Sequence, residues 1–214
     1  MRNVYIWMTL ALAVTGLTAA YVSSSPAILQ YVFSGSTIWF LAIAELALVW
    51  YLSAQIMKIS FSTAGILFVL FSVLNGVTLS SIFLVYTMES IAQTFYITAG
   101  TFGAMSLTGV FIKKDLSTMG RFLIMALIGL IIASIVNLFM QSSTLMWITT
   151  YAGVLIFCGL TAYDTQKIKN MLIMYGSEAN EGTLKIALMG SLTLYLDFIN
   201  LFIYLLRIFG SRRD

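Results

Sequence analysis

Histidine is absent from all 214 residues, and with it the side chain that most often ligates a metal or carries protons near neutral pH. Any titration in that range must come from carboxylates perturbed by their surroundings. Cysteine occurs once, at Cys158 inside an apolar run, so there is no disulfide framework and the thiol reads as a small buried packing residue. Charge is scarce too: 9% of the residues are Asp, Glu, Lys or Arg, against roughly 25% in soluble domains. A soluble globular domain is excluded.

Hydrophobic residues take up 60% of the chain, with a mean hydropathy of +0.98. A spanning helix needs about 20 predominantly apolar residues, and only helices or closed barrels satisfy their backbone in lipid. A barrel would read as short alternating segments, whereas the runs here are long. The fold class is therefore all-α, a polytopic membrane protein. Breaks at polar clusters leave seven apolar segments, near residues 4–22, 37–57, 63–86, 91–112, 120–140, 145–168 and 184–209. They predict one domain over residues 1–214, with seven transmembrane helices. The first segment is longer than the apolar core of a secretory signal, about 7 to 15 residues, and reads as an uncleaved helix. The longest connection is expected from Asn170 to Thr183, with Gly176, Glu178, Glu181 and Gly182 in it, while Gln141 to Thr144 is little more than a turn.

Basic residues alternate between the connections. Arg2, Lys58, Lys113, Lys114, Arg121, Lys167, Lys169 and Lys185 fall on one side, which the positive-inside rule makes cytoplasmic along with the N-terminus. Seven crossings then put Arg207, Arg212 and Arg213 on the other side, against that rule. Either the last segment stops short or the upstream charges prevail, and we read seven crossings. The basic balance, a sequence pI of about 9.0, belongs to loops meeting anionic lipid headgroups, and no nucleic-acid surface is indicated.

Polar residues inside the apolar segments carry the functional signal. On a helix, Thr193, Asp197, Asn200, Tyr204 and Arg207 form one stripe of the last segment. A carboxylate at mid-bilayer costs at least ~2.5 to 3.5 kcal/mol, so this stripe faces other helices or water and the last helix is expected at the centre of the bundle. Thr150, Phe157, Thr161, Asp164 and Ile168 share a face of the sixth segment. Asp197 lies about 13 residues, roughly 20 Å, into its segment. The two aspartates meet only if the sixth helix continues two or more turns past Asp164, or if the last helix frays at its start. Ser72, Asn75, Thr78, Ser134, Asn137 and Gln141 read as interhelical hydrogen-bond glue, and Ala99, Gly103, Ser106 and Gly109 as a small-residue packing face. Glu45, Asp164 and Asp197 read instead as titrating or ion-binding groups, since intramembrane charges mark function. If Asp164 and Asp197 share a site, repulsion and desolvation leave the pair holding one proton, and the same oxygens with Asn200, backbone carbonyls and water suit a hard cation such as calcium.

Three stretches, LYLDFINLFIYLLRIFG (194–210), AYDTQKIK (162–169) and KKDLSTMG (113–120), resemble the Bax inhibitor, or transmembrane Bax inhibitor motif, family over nearly the whole length. The short N-terminus is similar to that of the bacterial members, which implies the inner (plasma) membrane. The resemblance implies six helices around a seventh and a pH-sensitive calcium leak, with calcium as the transported species and no cofactor. It implies that Asp164 and Asp197 form a hydrogen-bonded carboxylate pair, a pH sensor and ion gate and the candidate calcium ligands, and that Glu45 is the family's acidic position in the second helix. Supporting residues are Glu45, Lys58, Asn200 and Arg207: Lys58, or else Arg207, is expected to pair with the ionised aspartates and hold the path shut until protonation weakens the pairing. The expected partners are the lipid bilayer, calcium ions and protons, with a membrane-protein partner, a protease or cell-death factor held in check, as the alternative. No enzymatic activity is expected. An intramembrane aspartyl protease also places two aspartates on adjacent helices. Here the second sits in LYLDF rather than in a Gly-x-Gly-Asp turn, and the only proline is Pro26, so no Pro-Ala-Leu exists.

Overall fold

The computed structural model describes residues 1–175 and 180–213, so Gly176 and Glu178 of the expected connection lie outside the described residues. The described residues form nine helices: α1 (Arg2–Ser23), α2 (Pro26–Phe33), α3 (Thr37–Gln55), α4 (Phe61–Leu79), α5 (Ile82–Val85), α6 (Met88–Phe111), α7 (Ser117–Met140), α8 (Ser143–Met174) and α9 (Glu181–Phe209). Six spans are long and apolar enough to cross a membrane: α1, α3, α4 with α5, α7, α8 and α9. The fourth expected segment is helical as α6, 24 residues long, but with its threonines, serines and glycines it is not among the helices apolar enough to cross.

Local chemistry explains where the helices depart from expectation. The loop after the first segment contains α2, which starts where extended Ser25 precedes Pro26 at the first helical turn, a position that needs no N–H. The third segment is interrupted after Leu79, where the Ser80 and Ser81 hydroxyls donate to the Val77 and Thr78 carbonyls and compete with the helical ladder. The expected connection from Asn170 to Thr183 is shorter, because α8 continues to Met174 and α9 already starts at Glu181. Nothing in Asn170-Met-Leu-Ile-Met174 breaks a helix. The turn from Gln141 is as expected: Gln141 adopts φ 50°, and Asn137 Oδ1 accepts from Ser142 N at 3.0 Å. Ahead of α7, Asp115 accepts from Ser117 N at 2.9 Å and Ser117 Oγ at 2.6 Å, which holds its carboxyl below the usual range. A depressed carboxylate stabilises the fold above its unfolded value, and that contribution fades as pH falls through the folded one.

The residues fall into two compact units. The first comprises Met1–Met88, Met171–Tyr195 and Arg212 onward. Within it α1, α4 and the first half of α9 run in the same direction. Trp7 packs edge-on to Phe61 at 5.8 Å, and one stretch further along Thr15 donates to the Ser72 carbonyl at 2.9 Å and shares a 2.7 Å hydrogen bond with the Tyr195 hydroxyl. Ser191 donates to the Val4 carbonyl at 2.8 Å. Phe61 N donates to Glu181 Oε1 at 3.3 Å where α4 and α9 start, and the C-terminal tail returns to where the α4–α5 span ends. There Arg213 donates from N to the Val85 carbonyl at 2.9 Å and from its guanidinium to the Phe83 carbonyl at 3.1 Å. Gly76 makes the α1–α4 approach possible, since a Cβ there would lie 2.6 Å from the Thr15 carbonyl oxygen.

The second unit comprises Glu89–Asn170 and Leu196–Ser211. Phe198 of α9 lies between two rings of α6, Phe95 at 5.5 Å and Phe102 at 5.4 Å, and Ser211 N donates to Ser90 Oγ at 2.9 Å. Here α6 and α9 are antiparallel. Tyr204 of α9 stacks on Phe157 of α8 at 5.9 Å and occupies the space over Gly153. The small-residue face of α6 is rotated from the expected one: Ser106 and Gly109 are buried, Ala99 is exposed, and no atom lies within 4 Å of a Cβ built on Gly103. The buried face is Ser90, Thr94, Thr98, Phe102, Ser106 and Gly109. The spacing of four among its hydroxyl residues was present in the sequence. Among the spans α9 is the most enclosed, with 72% of its most apolar stretch buried against 6% for α3 and for α7.

Gly109 and Gly103 offer a paired test. A Cβ on Gly109 would collide with the Ala162 carbonyl of α8, so Gly109→Ala should cost about 1 to 3 kcal/mol, measured as a lower thermal midpoint in detergent. Gly103→Ala, with open space, should be neutral or raise stability by up to about 1 kcal/mol.

Candidate functional site: a buried aspartate pair

The condition for the aspartates to meet is satisfied by helix length. The helix α8 runs ten residues past Asp164, almost three turns, and Asp197 lies 16 residues past Glu181, about 24 Å along an unfrayed α9. The two carboxyls lie close enough that the charge of Asp164 bears on Asp197. Asp197 is 5% exposed, and its Oδ2 has no hydrogen-bond partner among the described residues. Asp164 is half-buried. The cation whose charge bears on Asp164 is Lys167, three residues on along α8, which itself lies 5.8 Å over the Tyr163 ring.

AYDTQKIK and KKDLSTMG, far apart in the sequence, interlock around Asp164. Gln166 is buried and acts as a three-way clamp: its Oε1 accepts from Leu116 N at 2.9 Å, and its Nε2 donates to the Lys114 carbonyl at 2.9 Å and the Ile112 carbonyl at 3.4 Å. Lys169 donates to the Val110 carbonyl at 2.7 Å and so satisfies the C-terminal end of α6. Gly120 leaves room for the Tyr163 ring, and Thr165 shares a 3.1 Å hydrogen bond with Ser106. These contacts set the rotation of α8 and thus the position of Asp164. Sequence reasoning passed over Tyr163, Gln166 and Lys167; a glutamine between two lysines at a helix end was the available signal.

The chain matches, over residues 1–214, the family described as "Inhibitor of apoptosis-promoting Bax1". The chain belongs to the Bax inhibitor family. It is 53% identical to the inner membrane protein YbhL of Escherichia coli K12 over 214 residues, all of this chain and 92% of that one. An uncharacterised protein of Rickettsia prowazekii is 45% identical over 214 residues, with 100% and 90% covered. An uncharacterised membrane protein of Streptococcus pyogenes serotype M1 is 42% identical over 169 residues, with 79% and 72% covered.

The four supporting residues are placed differently from the pair. Glu45 is half-buried in the first unit and accepts from the Thr78 hydroxyl on Oε1. Lys58 is exposed in the turn between α3 and α4. Asn200 donates to the Leu196 carbonyl of its own helix at 2.8 Å, and Arg207 is exposed with its guanidinium 5.4 Å over the Tyr204 ring. Among the described residues the ion pair within 4.0 Å is Lys185 with Glu181, at 3.0 Å, so neither Lys58 nor Arg207 is paired with an aspartate. No group of three or more Cys, Asp or Glu side chains converges among the described residues.

Like charges held together away from water work against the fold unless they are neutralised or bound. Asp197→Asn should therefore raise the thermal midpoint, by about 1 kcal/mol or more in stability. A large loss would instead make the carboxylate a structural bonding group.

Proposed function

We propose that this protein is a pH-dependent calcium leak channel of the bacterial inner membrane, gated by protonation of the Asp164–Asp197 pair. What carries the reading is the enclosure of two neighbouring carboxylates between membrane-spanning helices, one of them with an oxygen that no described group bonds. A hard cation takes about 6 to 8 oxygen ligands, and two carboxylates with backbone carbonyls and water make such a set during passage. Protons compete for the same oxygens. When ionised, the pair attracts Lys167 and retains the cation; when protonated, it does neither, so the leak is greater in acid. No cofactor and no catalytic step is part of this reading.

Seven crossings with a cytoplasmic N-terminus complete it. Because α4 and α9 run in the same direction, the number of crossings between them is odd, and α7 and α8 supply two. A crossing α6 supplies the third, its threonines and serines turned inward. The C-terminal arginines then emerge on the side away from the basic loops, where Arg213 is bonded to the Val85 and Phe83 carbonyls.

The second reading, a regulator that binds a membrane protease or a cell-death factor, draws on the family's description and on the 6% burial of α3 and α7, which leaves wide apolar faces for another membrane protein. Calcium flux from liposomes holding the purified protein separates the two. We expect flux without a partner, stronger in acid, and a flattened pH response in Asp164→Asn and in Asp197→Asn. Unchanged pH response in both variants defeats the gate, and flux no greater than from empty liposomes, with a partner recovered from membranes, favours the regulator.

A further inference from the structure

One buried threonine of α6 differs from the others. In helices a buried threonine hydroxyl ordinarily donates to the carbonyl four residues back, as Thr98, Thr149, Thr150 and Thr161 do here. Thr94 does not: it is 0% exposed, and its hydroxyl has no partner among the described residues. Valine has the same shape and would avoid the cost of an unbonded buried hydroxyl, about 1 to 3 kcal/mol. The second unpartnered buried oxygen of this unit is Asp197 Oδ2.

These two groups lie on facing helices at neighbouring depths. Phe198 is flanked by Phe95 and Phe102, so the middle of that interval, Thr98, is level with Phe198 and with Asp197 beside it. Thr94 is one turn from Thr98 in the direction of Phe202, which Phe95 also touches at 6.4 Å. Ser90 is one turn further, at the bond to Ser211 where α9 ends. Buried hydroxyls thus descend at intervals of four from the level of the aspartate pair to the C-terminal end of α9. Of the seven expected segments α6 is the one that falls outside the spans apolar enough to cross a membrane, and its hydroxyls lie on its buried face.

We propose that the Thr98–Thr94–Ser90 face of α6 lines the half of the ion path between Asp197 and the C-terminal end of α9, with the Thr94 hydroxyl as an oxygen ligand for a partly dehydrated cation or its water. This rests on the leak reading for its cargo, but the wetting of the face is measurable without it.

The test uses full-length protein in liposomes. In a Cys158→Ala background, Thr94→Cys and Thr98→Cys are reacted with a small water-soluble cationic thiosulfonate, beside Tyr96→Cys, whose position is 75% exposed on the apolar outer surface. Both inward cysteines should react faster than the Tyr96 control in acid. If neither does at any pH, the proposed lining is overturned, whatever the flux. Thr94→Val should lower calcium flux about fivefold, the kinetic worth of one ordinary hydrogen bond, while Thr94→Ser restores it. Equal flux in Thr94→Val and the unmodified protein also overturns the role of Thr94. Reactive inward cysteines in a protein that passes no calcium would sink the leak reading and leave a wetted α6 face standing.

Discussion

A carboxylate cannot be left facing hydrocarbon, and that constraint organises the second half of this protein. Asp197 lies 16 residues past the start of the last helix, and Asp164 ten residues before the end of the one preceding it. The chain buries Asp197 and half-buries Asp164. The last helix is the most buried of the spans, and the helices beside it approach through glycines, Gly109 under the Ala162 carbonyl and Gly153 under the Tyr204 ring. Close approach at those points leaves the pair between α8 and α9 rather than in lipid.

What keeps the two aspartates in register is mostly not chemistry of the aspartates themselves. Gln166 ties three backbone groups of the loop between α6 and α7 to α8, Lys169 satisfies the end of α6, and Tyr163 fits over Gly120. The position of Asp164 thus depends on clamps within five residues of it, none of which is a carboxylate.

Much of the fold was legible because lipid reduces the alternatives. The long apolar runs with few charges left helices as the only reading, and six of the seven segments are helices apolar enough to span, within a few residues of their expected bounds. The carboxylates stood out for the same reason, since Asp164 and Asp197 contradict the runs around them. Less legible were features decided by one or two residues: Ser25 and Pro26 starting α2, Ser80 and Ser81 interrupting the third span, and the helical turns from Asn170 to Met174. The rotation of α6 is not legible from its small residues, because threonine and serine rather than glycine and alanine form most of its buried face.

By itself, the sequence determined the membrane, the helices, the family and the two suspect aspartates, because hydropathy and motif identity are properties of residues in order. Only the tertiary structure decided that the charge of Asp164 bears on Asp197, that Lys167 is the cation acting on Asp164 while Lys58 and Arg207 are exposed, and that the Thr94 hydroxyl is buried without a partner among the described residues. The physical reason is that helix rotation and depth are set by how glycines and rings of different helices fit together, and no spacing within one segment encodes that fit.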